Sequence, residues 1–360
     1  MPRLILIMMC SGFFHLTFAT RRLRFFHINE SDLSWTAAKE YCQKNDNASL
    51  VTVYDKEDAK FIGSYTEGYN NTLAIEVWLG LYHPNIDVET GEGTFVQPKC
   101  GAIENNGLKW FNCSDEKWFM CNESNDHSVY NISKNWCRAR QHCRQNYHAD
   151  LASKEEAEAN GTGLSFWIRD REDEWSWQDK GCSSFGKWCR VNQGPVQGNC
   201  TRVGIKKDSS CVGLTDHGCD SQSHPFCSSG DVRIKIIEKN LPWEEAYYYC
   251  QVHHTRLLWI KDDRDQEAVV QWLNYTVDTV GDRFWIGLRQ SRVFGFWIWS
   301  SDTTVGESYN TSNWISGKTP QLPMSHHCGL IQKDTQKWGD EDCSWPLPFL
   351  CEEEIEYMNT

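Results

Sequence analysis

Near the C-terminus, the stretch KWGDEDCSWPLPFLC (Lys337 to Cys351) sets Asp340, Glu341 and Asp342 directly before Cys343. Oxygen-rich clusters of this kind are what calcium uses, because it takes roughly six to eight carboxylate, amide or carbonyl ligands. A bland reading stands beside it: Asp340 can equally cap a turn next to a disulfide. The pairs His253-His254 and His326-His327 offer imidazole for metal or proton chemistry. Adjacent strand residues point to opposite faces, so each pair reads as surface decoration instead. The 18 Trp invite sugar stacking, but most fall at repeated positions and read as core. Trp314 is the best exposed candidate. For catalysis there is no Gly-x-Ser-x-Gly, no His-Glu-x-x-His and no phosphate-cradling Gly loop, so the chain reads as a binder and not an enzyme.

The elements that must hold these residues are repeated. WTAAKEYCQKNDNASL (Trp35 to Leu50), WCRARQHCRQNYHADL (Trp136 to Leu151) and WEEAYYYCQVHHTRLL (Trp243 to Leu258) share the frame W-x-x-A-x-x-x-C, at spacings of 101 and 107 residues. Offsets 0, 3 and 7 fall on one face of a helix, where Ala allows close approach and Cys faces whatever the helix covers. A charged second-helix pattern follows each copy, as in DKEDAKFI, SKEEAEA and DDRDQEAVVQWL, and then the strand signals VWLGL, FWIRD and FWIGL. Helix, helix, then short strands and long loops is an α+β arrangement. Connections between copies are short and polar, so the modules are expected to abut as beads with limited freedom.

Of 17 Cys, Cys10 lies in an N-terminal apolar run, Leu4 to Phe18, that reads as a secretory signal peptide over residues 1–19; no later segment is apolar enough to span a membrane. The other 16 form an even set, as a disulfide framework requires. Each copy ends with two Cys seven residues apart and carries one earlier inner Cys. The simplest pairing joins helix Cys to last Cys and inner to inner: Cys42–Cys121 with Cys100–Cys113, Cys143–Cys227 with Cys200–Cys219, and Cys250–Cys351 with Cys328–Cys343. Spacing alone does not fix a connectivity. The second copy adds four Cys, read as Cys182–Cys189 and Cys137–Cys211, a zinc site being the less expected use in a secreted chain. Ten Asn-x-Ser/Thr sequons fit the same route: Asn29, Asn47, Asn70, Asn122, Asn131, Asn160, Asn274, Asn310, and Asn112 and Asn199, whose middle residue is Cys. The net charge of −13 argues against nucleic acid or anionic membrane as partner.

The W-x-x-A-x-x-x-C helix, the W-I-G-L strand and the paired Cys resemble the C-type lectin-like domain, and three in tandem are similar to a short, soluble relative of the macrophage mannose receptor lectins. The resemblance covers about residues 22–353, with domains at 22–122, 123–228 and 229–353 and an acidic tail, 354–360, expected to be solvated. It implies a double-loop fold with two helices, two small sheets and a long loop that carries calcium and sugar. Sugar-binding members hold the ion with Glu-Pro-Asn or Gln-Pro-Asp, a Glu before the inner Cys, and Trp-Asn-Asp.

In the third domain, NWISGKTPQL (Asn313 to Leu322) resembles that loop with one residue inserted. Thr319 stands for Glu, Pro320 matches, Gln321 replaces Asn, His326 replaces the second Glu, and Gly339 precedes the matching Asp340. Asp340 is therefore the one candidate metal ligand, and Thr319, Pro320, Gln321, Asp340 and Trp314 are the candidate ligand-binding residues. The second domain keeps Asp216 but has Gly194, Val196 and Gly198 at the loop positions. The first has Lys99 where an acid belongs, and only 22 positions from Trp78 to Cys100, against 43 from Trp285 to Cys328. The resemblance implies an extracellular protein recognising glycans or glycoproteins with largely degenerate calcium sites, calcium possible but not required. The alternative is calcium-independent recognition of protein ligands.

Overall fold

The computed structural model describes residues 22–45, 47–69, 76–84, 98–123, 128–159, 163–189, 198–205, 212–276, 281–300, 313–320 and 326–358. In chain order, β1 (Phe25–Ile28), α1 (Trp35–Lys44), β2 (Ser49–Leu50), α2 (Lys56–Tyr69) and β3 (Val77–Tyr82) come first. Next are β4 (Lys99–Glu104), β5 (Gly107–Asn112), β6 (Lys117–Met120), β7 (Val129–Lys134), α3 (Trp136–Tyr147), α4 (Lys154–Ala159) and β8 (Phe166–Glu172). Then β9 (Ser176–Trp177), β10 (Cys200–Ile205), β11 (Val212–His217) and β12 (His224–Ser229) follow. The C-terminal part runs β13 (Val232–Leu241), α5 (Trp243–His253), β14 (Arg256–Leu257), α6 (Asp263–Tyr275), β15 (Arg283–Gln290), β16 (Trp297–Trp299), β17 (His327–Gln332), β18 (Trp338–Asp342) and β19 (Leu347–Glu354). The class is α+β, as the sequence implies.

The repeated frame folds alike three times. Trp35, Ala38 and Cys42 are the buried face of α1, and Trp136, Ala139, Cys143 and Trp243, Ala246, Cys250 serve α3 and α5. Ser34 caps α1 by accepting from the Ala37 N–H, and Asn135 caps α3 by accepting from Arg138. Each helix Trp donates its indole N–H across to a strand carbonyl: Trp35 to Leu79, Trp136 to Ile168 and Trp243 to Ile286, at 2.7–2.8 Å. Each strand Trp returns a bond to the carbonyl two residues before the helix: Trp78 to Leu33, Trp167 to Lys134 and Trp285 to Leu241. Paired indole bonds thus lock the first helix and the W-I-G-L strand of each copy as one half-module, with all six of these indole N–H groups satisfied.

The remaining strands are not distributed as the expected boundaries 22–122 and 123–228 require. One sheet has the order β1-β12-β3-β10-β11, and another β5-β4-β8-β6-β7. The first half of copy one is therefore completed by the last half of copy two, and the two remaining halves complete each other. The disulfides follow the same exchange: Cys42 pairs with Cys227 and Cys121 with Cys143, correcting Cys42–Cys121 and Cys143–Cys227. The physical reason lies in the strand after W-I-G-L. In the third unit β16 pairs with β15 and buries Trp297 and Trp299. Copy one has no Trp-x-Trp of its own before Cys100; β9, from copy two, pairs with β3 and buries Trp175 and Trp177 beside Leu81. Chain entropy does not choose between the arrangements, which differ by less than about 1 kcal/mol on the loop-closure model.

Cys100–Cys113, Cys200–Cys219, Cys250–Cys351 and Cys328–Cys343 pair as the spacing suggests. Cys182 bonds Cys137, not Cys189, and Cys137 therefore does not bond Cys211. The turn carrying Cys182 folds back against α3, where its N–H donates to Glu356 O at 2.7 Å. Cys189 is also disulfide-bonded, and Cys211 lies outside the described residues.

The units are not beads. A single core runs from Phe26, Phe61 and Tyr65 of the first composite unit into Val269, Trp272 and Leu350 of the third. Phe61 stacks on Trp272 with ring centroids 4.5 Å apart, which joins α2 to α6. Charges are buried along the same seam: Arg233 meets Asp58 at 2.8 Å and Glu353 at 2.7 Å, while Arg24 meets Asp58 at 3.1 Å. The acidic tail is part of this seam and not a solvated end. Arg140 of α3 reaches Tyr357 O and Met358 O, Arg138 pairs with Glu353, and the Met358 N–H donates to Lys180 O. Buried carboxylates need such partners, because an unpaired charge away from water is strongly disfavoured.

Candidate ligand-binding surface

The third unit carries the residues singled out by sequence, on β16, β17, β18 and the segment between them. Asp340 stands on β18 opposite Gly329 of β17. Its carboxylate accepts from His327 Nδ1 at 2.7 Å. The side chain at the matching ligand position is thus committed to an imidazole from the neighbouring strand. His326, which replaces a Glu, takes a hydrogen bond from the Arg292 guanidinium at 2.7 Å, and its other ring nitrogen lies 3.7 Å from Asp342. Arg292 also meets Glu244 at the start of α5 at 2.6 Å. This corner of the unit thus gathers Arg292, His326 and His327 against Glu244, Asp340 and Asp342. Both histidine pairs therefore have partners and are not mere decoration: His254 is largely enclosed and lies 2.9 Å from Glu353.

Trp314 is 1% exposed, which corrects its reading as an exposed stacking platform. It sits between Trp297 and Trp338, at 5.0 and 5.9 Å, and its β-bridge to Trp338 holds the loop onto the sheet. Thr319 and Pro320 are half-buried, and Pro320 O accepts from Trp297 Nε1 at 3.2 Å. Gln321 lies outside the described residues, as do Gly194 and Val196. In β11, Asp216 is buried opposite Thr201. Lys99 is exposed at the start of β4. Of the sequon residues, Asn47, Asn112, Asn131 and Asn274 are exposed, whereas Asn70, Asn160 and Asn310 lie outside the described residues.

Sequence reasoning missed the most exposed apolar feature. At the β15–β16 turn Phe294 is 73% and Phe296 45% exposed, and their rings stack 5.5 Å apart, nearly parallel. Arg292, two residues before Phe294, hydrogen-bonds His326, and Trp345 in the turn after β18 is 54% exposed. The signal was present in RVFGFWIW, where Phe294 and Phe296 alternate in phase with Ile298 and so fall on the opposite face from the buried Trp297 and Trp299. Among the described residues, no group of three or more His, Cys, Asp or Glu is arranged to hold a metal.

Comparison with known proteins gives the following. Residues 239–353 match the model of the lectin C-type domain. The chain is 30% identical over 118 residues to the secretory phospholipase A2 receptor of Mus musculus, covering 33% of this chain and 7% of that protein. It is 28% identical over 179 residues to C-type mannose receptor 2 of Homo sapiens, covering 48% of this chain and 11% of that one. L-selectin of Bos taurus is 28% identical over 145 residues, covering 39% and 35%. The chain thus spans a small part of the relatives it matches. Human lithostathine aligns at 24% identity and TM-score 0.31, covering 35% of this chain and 94% of that one. The C-type lectin carbohydrate-recognition domain of mouse scavenger receptor aligns with the same identity and score over 36% of this chain and 94% of that one. Residues 239–353 are thus similar to the lectin C-type domain, and the remainder of the chain repeats the same helix, strand and cystine frame.

Proposed function

We propose that the protein is a secreted, non-catalytic recognition protein whose third unit engages a protein ligand without calcium. The observation that carries this reading is the His327–Asp340 pair: the carboxylate at the matching ligand position is already hydrogen-bonded by imidazole. Thr319 and His326 supply no carboxylate in place of the two Glu, Gly339 supplies no side-chain oxygen, and calcium affinity depends steeply on how many charged oxygens surround it. What remains exposed is the stacked Phe294–Phe296 pair with Arg292 and Trp345, an aromatic and guanidinium set of the kind that anchors protein interfaces. Calcium titrated calorimetrically into the full chain should give no saturable heat, and ligand capture on arrays should be unchanged by a chelator. Chelator-sensitive glycan binding that disappears in Asp340→Ala would reverse the reading.

Glycan recognition is the second reading, and the match of residues 239–353 to the lectin C-type domain favours it. It then works through direct hydrogen bonds and stacking on the same surface. Substituting Phe294→Ser together with Phe296→Ser should weaken either ligand while leaving the thermal midpoint in place, since both rings are largely in water.

A further inference from the structure

A second site lies away from this surface, where α3 and β7 face the C-terminal end of α5 and the last strand. The walls enclose a cleft of about 610 Å³, and Lys134, His142, Asn146, Gln251, His253 and Glu354 are among its lining. Lys134 is the unusual member. It is only 8% exposed, and among the described residues its ammonium makes no hydrogen bond and no ion pair. Burial, and then the neighbouring charge of Arg138, lowers its pKa, while the more distant carboxylates of Glu353 and Glu116 offset this only in part. Arg138 itself is spent on Glu353. A nearly buried lysine with no carboxylate in direct contact destabilises a fold unless something in the cleft supplies one.

The rest of the lining narrows what that something is. Asn146 and Gln251 donate their amide N–H groups to His142 O and the Tyr247 hydroxyl, and Gln141 and Gln145 donate theirs to Glu354. Among the described residues nothing donates to the four amide oxygens, which remain acceptors. One cation beside several acceptors, with the apolar flanks of Ile132 and Val252 close by, complements a group bearing one negative charge and several hydroxyls. A cluster of plain phosphates or a nucleic acid would meet Glu353 and Glu354 in the same cleft.

We propose that this cleft between α3 and α5 binds an acidic sugar, its carboxylate or sulfate paired with Lys134 and its hydroxyls on the amide oxygens. The site is independent of the third unit's upper surface and needs no metal. The test uses the full chain and calorimetric titration with methyl β-glucuronide, glucose 6-sulfate, neutral methyl β-glucoside and inorganic sulfate. The acidic sugars should bind at least about tenfold more tightly than the neutral one, with the stronger of the two identifying carboxylate or sulfate as the anion. Lys134→Met should abolish that preference while holding or raising the thermal midpoint, which a purely structural lysine would not do. Asp340→Ala should leave it untouched, so failure here is distinct from failure of the reading above. Equal binding of neutral and acidic sugars, an unchanged Lys134→Met variant, or inorganic sulfate binding as well as either sugar would overturn the proposal.

Discussion

At the scale of single residues, buried charges are held by opposite charges, and Glu353 shows how far this goes. Burial alone would raise its pKa, but the charges of Arg138 and Arg233 and the hydrogen bond from His254 hold it well below the usual carboxylate range. Substituting Glu353→Gln leaves two guanidinium groups facing a neutral amide in a largely enclosed place. It should cost about 3–5 kcal/mol, read as a shifted urea midpoint. The pH dependence has a definite sign. A carboxylate with a depressed folded pKa contributes stability above its ordinary value near 4.5 and loses it as pH falls further. His142 acts higher on the scale: burial and the nearby Lys134 lower it from 6.5 to about 4. The unfolded chain then binds the extra proton between those values, so stability falls on acidification through that window. Urea titrations at a series of pH values should show the loss beginning below pH 6.5, and His142→Gln should reduce that first stage.

At the scale of elements, the helix and W-I-G-L strand of each copy were legible in sequence because their contacts are local to one frame. Trp, Ala and Cys at fixed offsets decide which face is buried, and the paired indole bonds span only 32 to 45 residues. The partner of each half was not legible. Three copies of one frame present interchangeable halves, and Cys spacing is identical under either pairing. What breaks the tie is Trp175 and Trp177, whose period of two marks a strand but not the strand it joins. Trp314 was misjudged for a related reason, because loop position suggests water while Trp297 and Trp338 enclose it. Non-reducing peptide mapping should recover Cys42 linked to Cys227 and Cys121 linked to Cys143. Recovery of Cys42–Cys121 would refute the exchange. Trp177→Ala removes the anchor of β9 on β3 and should destabilise the chain by about 3–5 kcal/mol, measured by urea unfolding.

At the scale of the molecule, the seam between the first composite unit and the third decides whether the chain unfolds in parts or as one body. Beads on short polar linkers would melt separately, each at its own midpoint. Here Phe61, Tyr65, Trp272 and Tyr275 interlock in one aromatic cluster, with Phe61 on Trp272 at 4.5 Å and Tyr65 on Tyr275 at 4.7 Å. Buried guanidinium and carboxylate groups flank that cluster, so opening the seam would strip Arg233 of Asp55 and Asp58 and Lys235 of Asp55, leaving Asp58 with Arg24 and Arg233 with Glu353 alone. Separation therefore carries both an apolar and an electrostatic cost, and neither unit keeps a finished surface alone. Scanning calorimetry of the intact chain should accordingly give one cooperative transition for these two units. Trp272→Ala creates a cavity at the centre of the cluster, about 3–5 kcal/mol by the usual range for such truncations, and it should lower that single midpoint without splitting it. Two resolved transitions in the intact chain, or a Trp272→Ala variant whose first unit melts unchanged, would mean that the seam is a contact and not a shared core.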